Sequence, residues 1–253
     1  MIFYFSGTGN SAWIARQLAR LTDDEAYDIT ALTNPPDVQT AKRIGFVFPI
    51  YAWGAPEPMI EFAKKLEKSD AFTFGVCTCG GDAGLAMKYF SQYYPLQSSY
   101  SLVMPNNYII GSDIDQKDVI AKKTFTVREQ VQKMAQEILQ EKRVYRVKEG
   151  ILAEAKSRFA NLGFNKFARS AKPFFVQEQC NGCGLCAMHC PSSAISLQNG
   201  KPVWKDQCYQ CMRCINACPQ QAIQYGKSTI TRRRYNIQDY LPQEEAFEGS
   251  DRK

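Results

Sequence analysis

Eight of the chain's ten cysteines obey one spacing rule twice. Cys180, Cys183, Cys186 and Cys190 precede Pro191; Cys208, Cys211, Cys214 and Cys218 precede Pro219. The rule, C-x2-C-x2-C-x3-C-P, is that of a bacterial two-cluster iron–sulfur segment, in which the fourth thiol of each run crosses to the other cube. It predicts two [4Fe–4S] clusters, one on Cys180, Cys183, Cys186 and Cys218, the other on Cys208, Cys211, Cys214 and Cys190. Zinc knots share C-x2-C, but not a third thiol at x2, a fourth at x3, a following proline and a second copy of the whole. Gly182 and Gly184 give the first loop room to curl, and each proline stiffens the chain after a crossing thiol. Both halves continue into an apolar pair, Ala194-Ile195 and Ala222-Ile223, so the segment reads as an internal repeat. His189, the sole histidine, stands beside Cys190 and reads either as a tuning group or as packing. Met188 and Met212 are expected to pack around the clusters.

Thiolate ligands suit a reducing compartment, and the start, MIFYFSGTGNSAW, lacks the basic and apolar regions of a signal peptide. No apolar run is long enough to span a membrane. These features predict a cytoplasmic protein, with an anaerobic host as a natural setting. The formal charge of +6 invites a nucleic-acid reading. Two clusters with their thiolates would contribute about −4 and leave about +2. The basic residues are spread along the chain apart from Arg232, Arg233 and Arg234, so no nucleic-acid partner is expected.

Upstream, apolar runs at 1–6, 26–31, 43–49, 71–78 and 99–104 alternate with helical patterns at 11–21, 57–68, 83–93, 117–142 and 147–162. RIGFVFP at 43–49 is the near-continuous apolar run of a strand covered on both faces. Pro56 and Pro58 mark a helix start. Alternation of this kind predicts an α/β fold, a doubly wound parallel five-stranded sheet of order 2-1-3-4-5. The expected domains are 1–165 for this sheet, 166–174 for a basic connector, 175–226 for a small α+β two-cluster unit and 227–253 for a carboxy-terminal extension whose end frays.

Three segments at the carboxyl ends of predicted strands carry cofactor chemistry. Ser6-Gly7-Thr8-Gly9-Asn10-Ser11 joins the first strand to a helix, so backbone N–H groups and hydroxyls converge as a phosphate nest. It lacks the lysine of a Walker loop and the third glycine of a dinucleotide fingerprint, which favours the terminal monophosphate of FMN. Pro49-Ile50-Tyr51-Ala52-Trp53-Gly54 places two aromatics where they can flank a planar ring. Thr78-Cys79-Gly80-Gly81-Asp82-Ala83-Gly84 permits close backbone approach to a ring's polar edge. Asn106, Asn107 and Tyr108, beyond the fifth strand, read either as flavin-proximal groups or as a turn. Cys77 and Cys79 are too close in sequence for an ordinary disulfide; Cys77 reads as pointing into the sheet, and Cys79 either as a thiol facing the flavin or a partner or as packing and loop shape.

The start IFYFSGTGNS, the 49–56 and 78–84 loops and the doubled cysteine motif together resemble the fused flavodoxin–ferredoxin proteins, over residues 1–226. The resemblance implies a flavodoxin-like FMN domain followed by a two-[4Fe–4S] ferredoxin-like domain. Ser6, Thr8, Gly9, Asn10 and Ser11 would bind the phosphate, Tyr51 and Trp53 would flank the ring, and Cys79, Gly80, Gly81 and Asp82 would line its edge. A flavin takes one or two electrons and a cluster one, so the pair would convert between them. The implied function is an oxidoreductase linking ferredoxin or another one-electron protein, its own clusters and FMN to a small-molecule acceptor. The alternative is a carrier module serving a separate enzyme, and a homodimer is compatible with either.

Overall fold

The computed structural model describes residues 1–205 and 208–245; the end of the expected extension lies outside the described residues. The chain divides into two compact units. The first comprises Met1–Ser6, Asn10–Met104 and Ala121–Phe164; the second comprises Gly7–Gly9, Pro105–Ile120 and Asn165 onward.

The first unit is built on a parallel sheet of order β2-β1-β3-β4-β5-β6. Its strands are β1 (Ile2–Tyr4), β2 (Ala26–Asp28), β3 (Arg43–Pro49), β4 (Phe72–Cys79), β5 (Ser98–Val103) and β6 (Tyr145–Arg146). The order 2-1-3-4-5 is the one expected, with β6 added at the edge. β6 has two exposed residues, too few for any periodicity to show. It pairs with β5 at Ser99↔Tyr145 and Tyr100↔Arg146, and the Arg146 guanidinium donates to both carboxylate oxygens of Glu137 at 3.0 and 2.7 Å.

β3 and β4 form the centre. They pair in register from Arg43↔Phe72 to Pro49↔Thr78, and all eight residues of β4 are buried. The ring cluster on this sheet includes Phe46–Phe90 at 5.3 Å, Phe48–Phe90 at 4.7 Å and Phe3–Phe62 at 4.9 Å. Helix α1 (Asn10–Thr22) buries Trp13, Ile14 and Leu18, whose spacing is that of one helical face. α2 (Glu57–Lys65) starts after Pro56 with Pro58 in its first turn, as the sequence suggests. α3 (Ala86–Phe90) is short, and α4 (Lys117–Leu139) is long. The last helical stretch begins at Ala153 rather than 147. It alternates α-helical turns, α5 (Ala153–Ala155) and α6 (Asn161–Gly163), with π-helical turns at Lys156–Ala160 and Phe164–Ala168.

The second unit contains two small antiparallel pairs. β7 (Phe174–Val176) pairs with β10 (Ile223–Tyr225), and β8 (Ile195–Gln198) pairs with β9 (Lys201–Trp204). Asn199-Gly200 closes the second pair with φ of 51° and 74°, the Asn-Gly signature of a tight hairpin turn. Short helices α7 (Leu185–Met188) and α8 (Arg213–Ala217) lie within the two cysteine motifs and carry Cys186 and Cys214. The repeat read from the sequence is visible atom for atom: the Ala194 N–H donates to Cys190 Sγ and the Ala222 N–H to Cys218 Sγ, each at 3.3 Å. The basic run is engaged within this unit. Arg232 donates to the Ile109 and Ile110 carbonyls, Arg233 pairs with Asp113 at 3.0 Å, and Arg234 reaches the Ile223 carbonyl and Gln224.

Two glycines separate steric need from helix propensity. A Cβ on Gly45 would collide with the fully buried Phe74 ring, whereas one on Gly163 meets nothing within 4 Å. Gly45→Ala should therefore lower the unfolding free energy by about 1–3 kcal/mol. Gly163→Ala should raise it by up to about 1 kcal/mol, since alanine favours a helix. Urea midpoints at unchanged slope read both, and equal effects would refute the packing account.

Candidate functional site

β1, β3 and β4 run parallel and end at one edge of the sheet, and the hydrogen bonds there tie their exits together. Ile50 N–H donates to the Thr78 carbonyl at 2.8 Å. The hydroxyls of Ser11 and Thr78 lie 2.9 Å apart, both buried, linking the first turn of α1 to the end of β4. Tyr51 and Gly54 exchange backbone bonds of 2.9 and 3.0 Å across Ala52 and Trp53, whose φ values are 44° and 62°. Positive φ at both central residues makes this a tight two-residue turn in a conformation that costs most for bulky side chains.

Side chains hold the turn. Trp53 Nε1 donates to Asp82 Oδ1 at 2.5 Å, and Lys156 Nζ pairs with Asp82 Oδ2 at 3.1 Å. The same ammonium stands 5.2 Å from the centre of the Trp53 ring, a cation–π distance. Tyr51 packs on Phe5 and Phe164, each ring centre at 6.3 Å. Asn161 Nδ2 donates to the Tyr51 carbonyl at 2.9 Å, and Ser157 Oγ accepts from Leu85 N–H at 2.7 Å. Nothing lies within 4 Å of where a Cβ would project from Gly80 or Gly81, so the backbone there borders open space. Lys156, Ser157 and Asn161 were not expected from the sequence, where they read as ordinary polar helix residues.

Cys79 lies at the end of β4. It is buried, its Sγ lies 3.7 Å from the Leu102 carbonyl oxygen, and burial pushes its thiol up to about 11. Cys77 is fully buried and burial pushes its thiol well up. Gly7–Gly9 belong to the second unit. There Thr8 Oγ1 accepts from Asn107 Nδ2 at 2.6 Å, the Thr8 carbonyl accepts from Ile237 N–H at 3.3 Å, and Gly9 has φ of 93°. Asn106 is held within its own turn by the Asp115 carboxylate, the Ser112 hydroxyl and the Asp113 carbonyl. Tyr108 is partly exposed, and burial of the rest pushes its phenol up.

The cysteine loops correct the cofactor expectation. Among the described residues, no three Cys, His, Asp or Glu side chains come together as a group able to hold a metal ion. The two [4Fe–4S] clusters, and an internal relay built on them, are therefore not supported by the side-chain arrangement. All ten cysteines are free. Instead of meeting at a point, the motif residues line two separate cavities. One, of about 500 Å³ and partly open to solvent, has Cys180, Cys183, Cys186 and Cys218 in its wall; the other, of about 340 Å³, has Cys190, Cys208 and Cys211, and both include Cys214. Burial pushes the thiols of Cys186 and Cys208 up to about 11. His189 borders the first cavity, and its carbonyl accepts from Arg213 at 3.3 Å. Met212 is buried, whereas Met188 is 69% exposed.

Residues 1–102 match the family model described as a flavodoxin domain. Residues 179–223 match the one described as a 4Fe-4S dicluster domain. The chain thus carries a flavodoxin-like domain and, separate from it, a small α+β domain of ferredoxin type. Comparison with curated proteins gives no match. No helix among the described residues is long and apolar enough to cross a membrane.

The raised Cys79 thiol gives a direct check. At about pH 8 it is protonated and shielded, so iodoacetamide should leave Cys77 and Cys79 unmodified in the folded chain. Alkylation of Cys79 should accelerate as pH approaches about 11. Peptide mass spectrometry showing fast labelling of either thiol at neutral pH would contradict the buried placement.

Proposed function

We propose that this chain is a flavin-dependent electron-transfer protein whose flavodoxin-like domain binds FMN through Ser6, Asn10 and Ser11, the Tyr51–Gly54 turn and the Thr78–Gly84 loop. The observation that carries the reading is the chemistry gathered where β1 and β4 end. Ser6, just beyond β1, and Asn10 and Ser11, in the first turn of α1, are buried polar side chains. That helix has thirteen residues and no acidic residue in its first turn, so its amino end favours an anion. The Ser11 and Thr78 hydroxyls lie within hydrogen-bond distance, so Thr78 limits where the Ser11 side chain can sit.

The ring side fits as well. Gly80 and Gly81 leave open space beside the backbone, and the strained Tyr51–Gly54 turn is locked by Asp82, Lys156 and Asn161. A preformed turn loses little conformational freedom when a planar ligand settles on it. FMN, when bound, supplies one- and two-electron transfer. The residues of this chain bind the phosphate, border the ring and exclude water from its polar edge. The reaction partner is a one-electron redox protein, in keeping with the ferredoxin-type domain on the same chain. Asn106, committed to its own turn, is not assigned a role toward an acceptor.

Titrating the apo chain with FMN and following the loss of flavin fluorescence tests the proposal. One FMN per chain is expected, with riboflavin, which lacks the phosphate, binding far more weakly. Ser11→Ala and Thr78→Val should each weaken FMN by about tenfold, the equivalent of one hydrogen bond to a charged group. Absence of quenching, or equal affinity for FMN and riboflavin, would overturn the reading.

A further inference from the structure

The segment that follows β6 closes one side of the Thr78–Gly84 loop. Ala83 N–H donates to the Lys148 carbonyl at 2.9 Å, and Gly84 N–H donates to the Glu149 carbonyl at 3.2 Å. The Lys148 N–H donates in turn to Ser101 Oγ at 2.8 Å. A Cβ on Gly150 would collide with the Asp82 carboxyl group, so the chain passes directly beside it. Side chains along this segment alternate. Tyr145 and Glu149 turn toward α3, where Lys88 stands 5.3 Å from the Tyr145 ring and 2.8 Å from the Glu149 carboxylate. Arg146 turns toward α4 and its Glu137. The same alternation places Lys148 on the α4 side, the side of Lys123. The carboxylates of Asp82 and Glu149 are matched by Lys156 and Lys88, and Lys148 adds an exposed ammonium beside them. Its charge reaches the end of β4. Burial pushes the Cys79 thiol up and the Asp82 charge adds to it, while the Gly81 N–H and the Lys148 and Lys123 ammoniums pull it down.

We propose, on the FMN reading above, that Lys148 sets the charge at the ring's polar edge, so that the site prefers a flavin whose edge carries negative charge. An isoalloxazine ring is neutral when oxidised. Reduction, or addition of a nucleophile at N5, leaves an electron pair on its N1–C2 carbonyl edge. Charge placed near that edge is one means by which a protein tunes flavin chemistry. Gly80 and Gly81 border open space and carry no side chain that would shield the edge from Lys148. An ammonium at the surface, partly screened by water, shifts such an equilibrium by about three- to tenfold. By linkage, a site that binds the anionic ring more tightly makes the ring easier to reduce.

Sulfite titration of the FMN-saturated full chain tests this. Sulfite forms a sulfur–N5 bond with oxidised flavin, and the displaced ring electron pair moves to the N1–C2 edge, with no oxidant, reductant or proton required. Loss of the flavin's visible absorbance reads the dissociation constant. The parent chain should bind sulfite more tightly than free FMN does, by about tenfold. Lys148→Gln should weaken sulfite by about three- to tenfold and Lys148→Glu by more, with the loss shrinking at high salt. The two-electron midpoint potential of the bound FMN should fall in Lys148→Gln by about 15–30 mV, since tenfold corresponds to about 30 mV. Lys142→Gln removes the same charge on the amino-terminal side of β6 and should leave both readings at the parent values. Lys148 is exposed and its printed bonds are made by its backbone, so the variants should keep the parent's far-UV circular dichroism. A chain that binds one FMN but takes up sulfite no better than free FMN, or equally well with and without Lys148, overturns this proposal and leaves the flavin site standing. Failure to bind FMN removes the flavin site and this proposal with it.

Discussion

The parallel ladder between β3 and β4 is the interaction on which the rest of the first unit depends. Seven residue pairs in register, the central five buried in both strands, fix where both strands end. That common edge brings the Tyr51–Gly54 turn beside the Thr78–Gly84 loop, joined by the Ile50 amide bond to the Thr78 carbonyl. A slip of one residue would turn Phe46 and Phe74 to the wrong faces and separate the two loops. The chemistry proposed for the site therefore inherits its geometry from apolar packing, not from the loops themselves.

The loops carry a second constraint, which is polar. Ala52 and Trp53 occupy left-handed backbone conformations that neither residue favours. What keeps them there is a set of bonds from distant sequence: Asp82 on the Trp53 indole, Lys156 on Asp82 and Asn161 on the Tyr51 carbonyl. The helical stretch that supplies Lys156 and Asn161 must turn its polar side inward to do so. Its exposed apolar side is the consequence, and its π-helical turns mark where regular i→i+4 bonding gives way.

The sequence was legible where packing decides. The continuous apolar runs of β3 and β4, the one-sided face of α1 and the order of the first five strands all follow from burial, which periodicity reports directly. It was illegible where the outcome depends on contacts between remote residues. β6 has only Tyr145 and Arg146, and its place depends on pairing with β5 and an ion pair with Glu137. The helix expected at 147–162 was displaced because its apolar residues face outward, so their spacing did not mark a buried stripe. No Asn-Gly pair announces the Tyr51–Gly54 turn, unlike Asn199-Gly200 in the second unit. The cysteine motif is the clearest case. Spacing is a property of the chain and identifies the ferredoxin-type segment, but convergence of thiols is a property of space. The described side chains line two cavities without forming a metal-holding group.

The central claim is that the carboxyl edge of the parallel sheet is a flavin site. The most direct measurement is a crystal structure of the full chain grown with FMN. The account predicts the phosphate at the amino end of α1, within hydrogen-bond reach of the Ser11 hydroxyl, and the ring between the Tyr51–Gly54 turn and Gly80–Gly81. FMN bound elsewhere, or crystals grown in saturating FMN with this edge filled only by water, would contradict it.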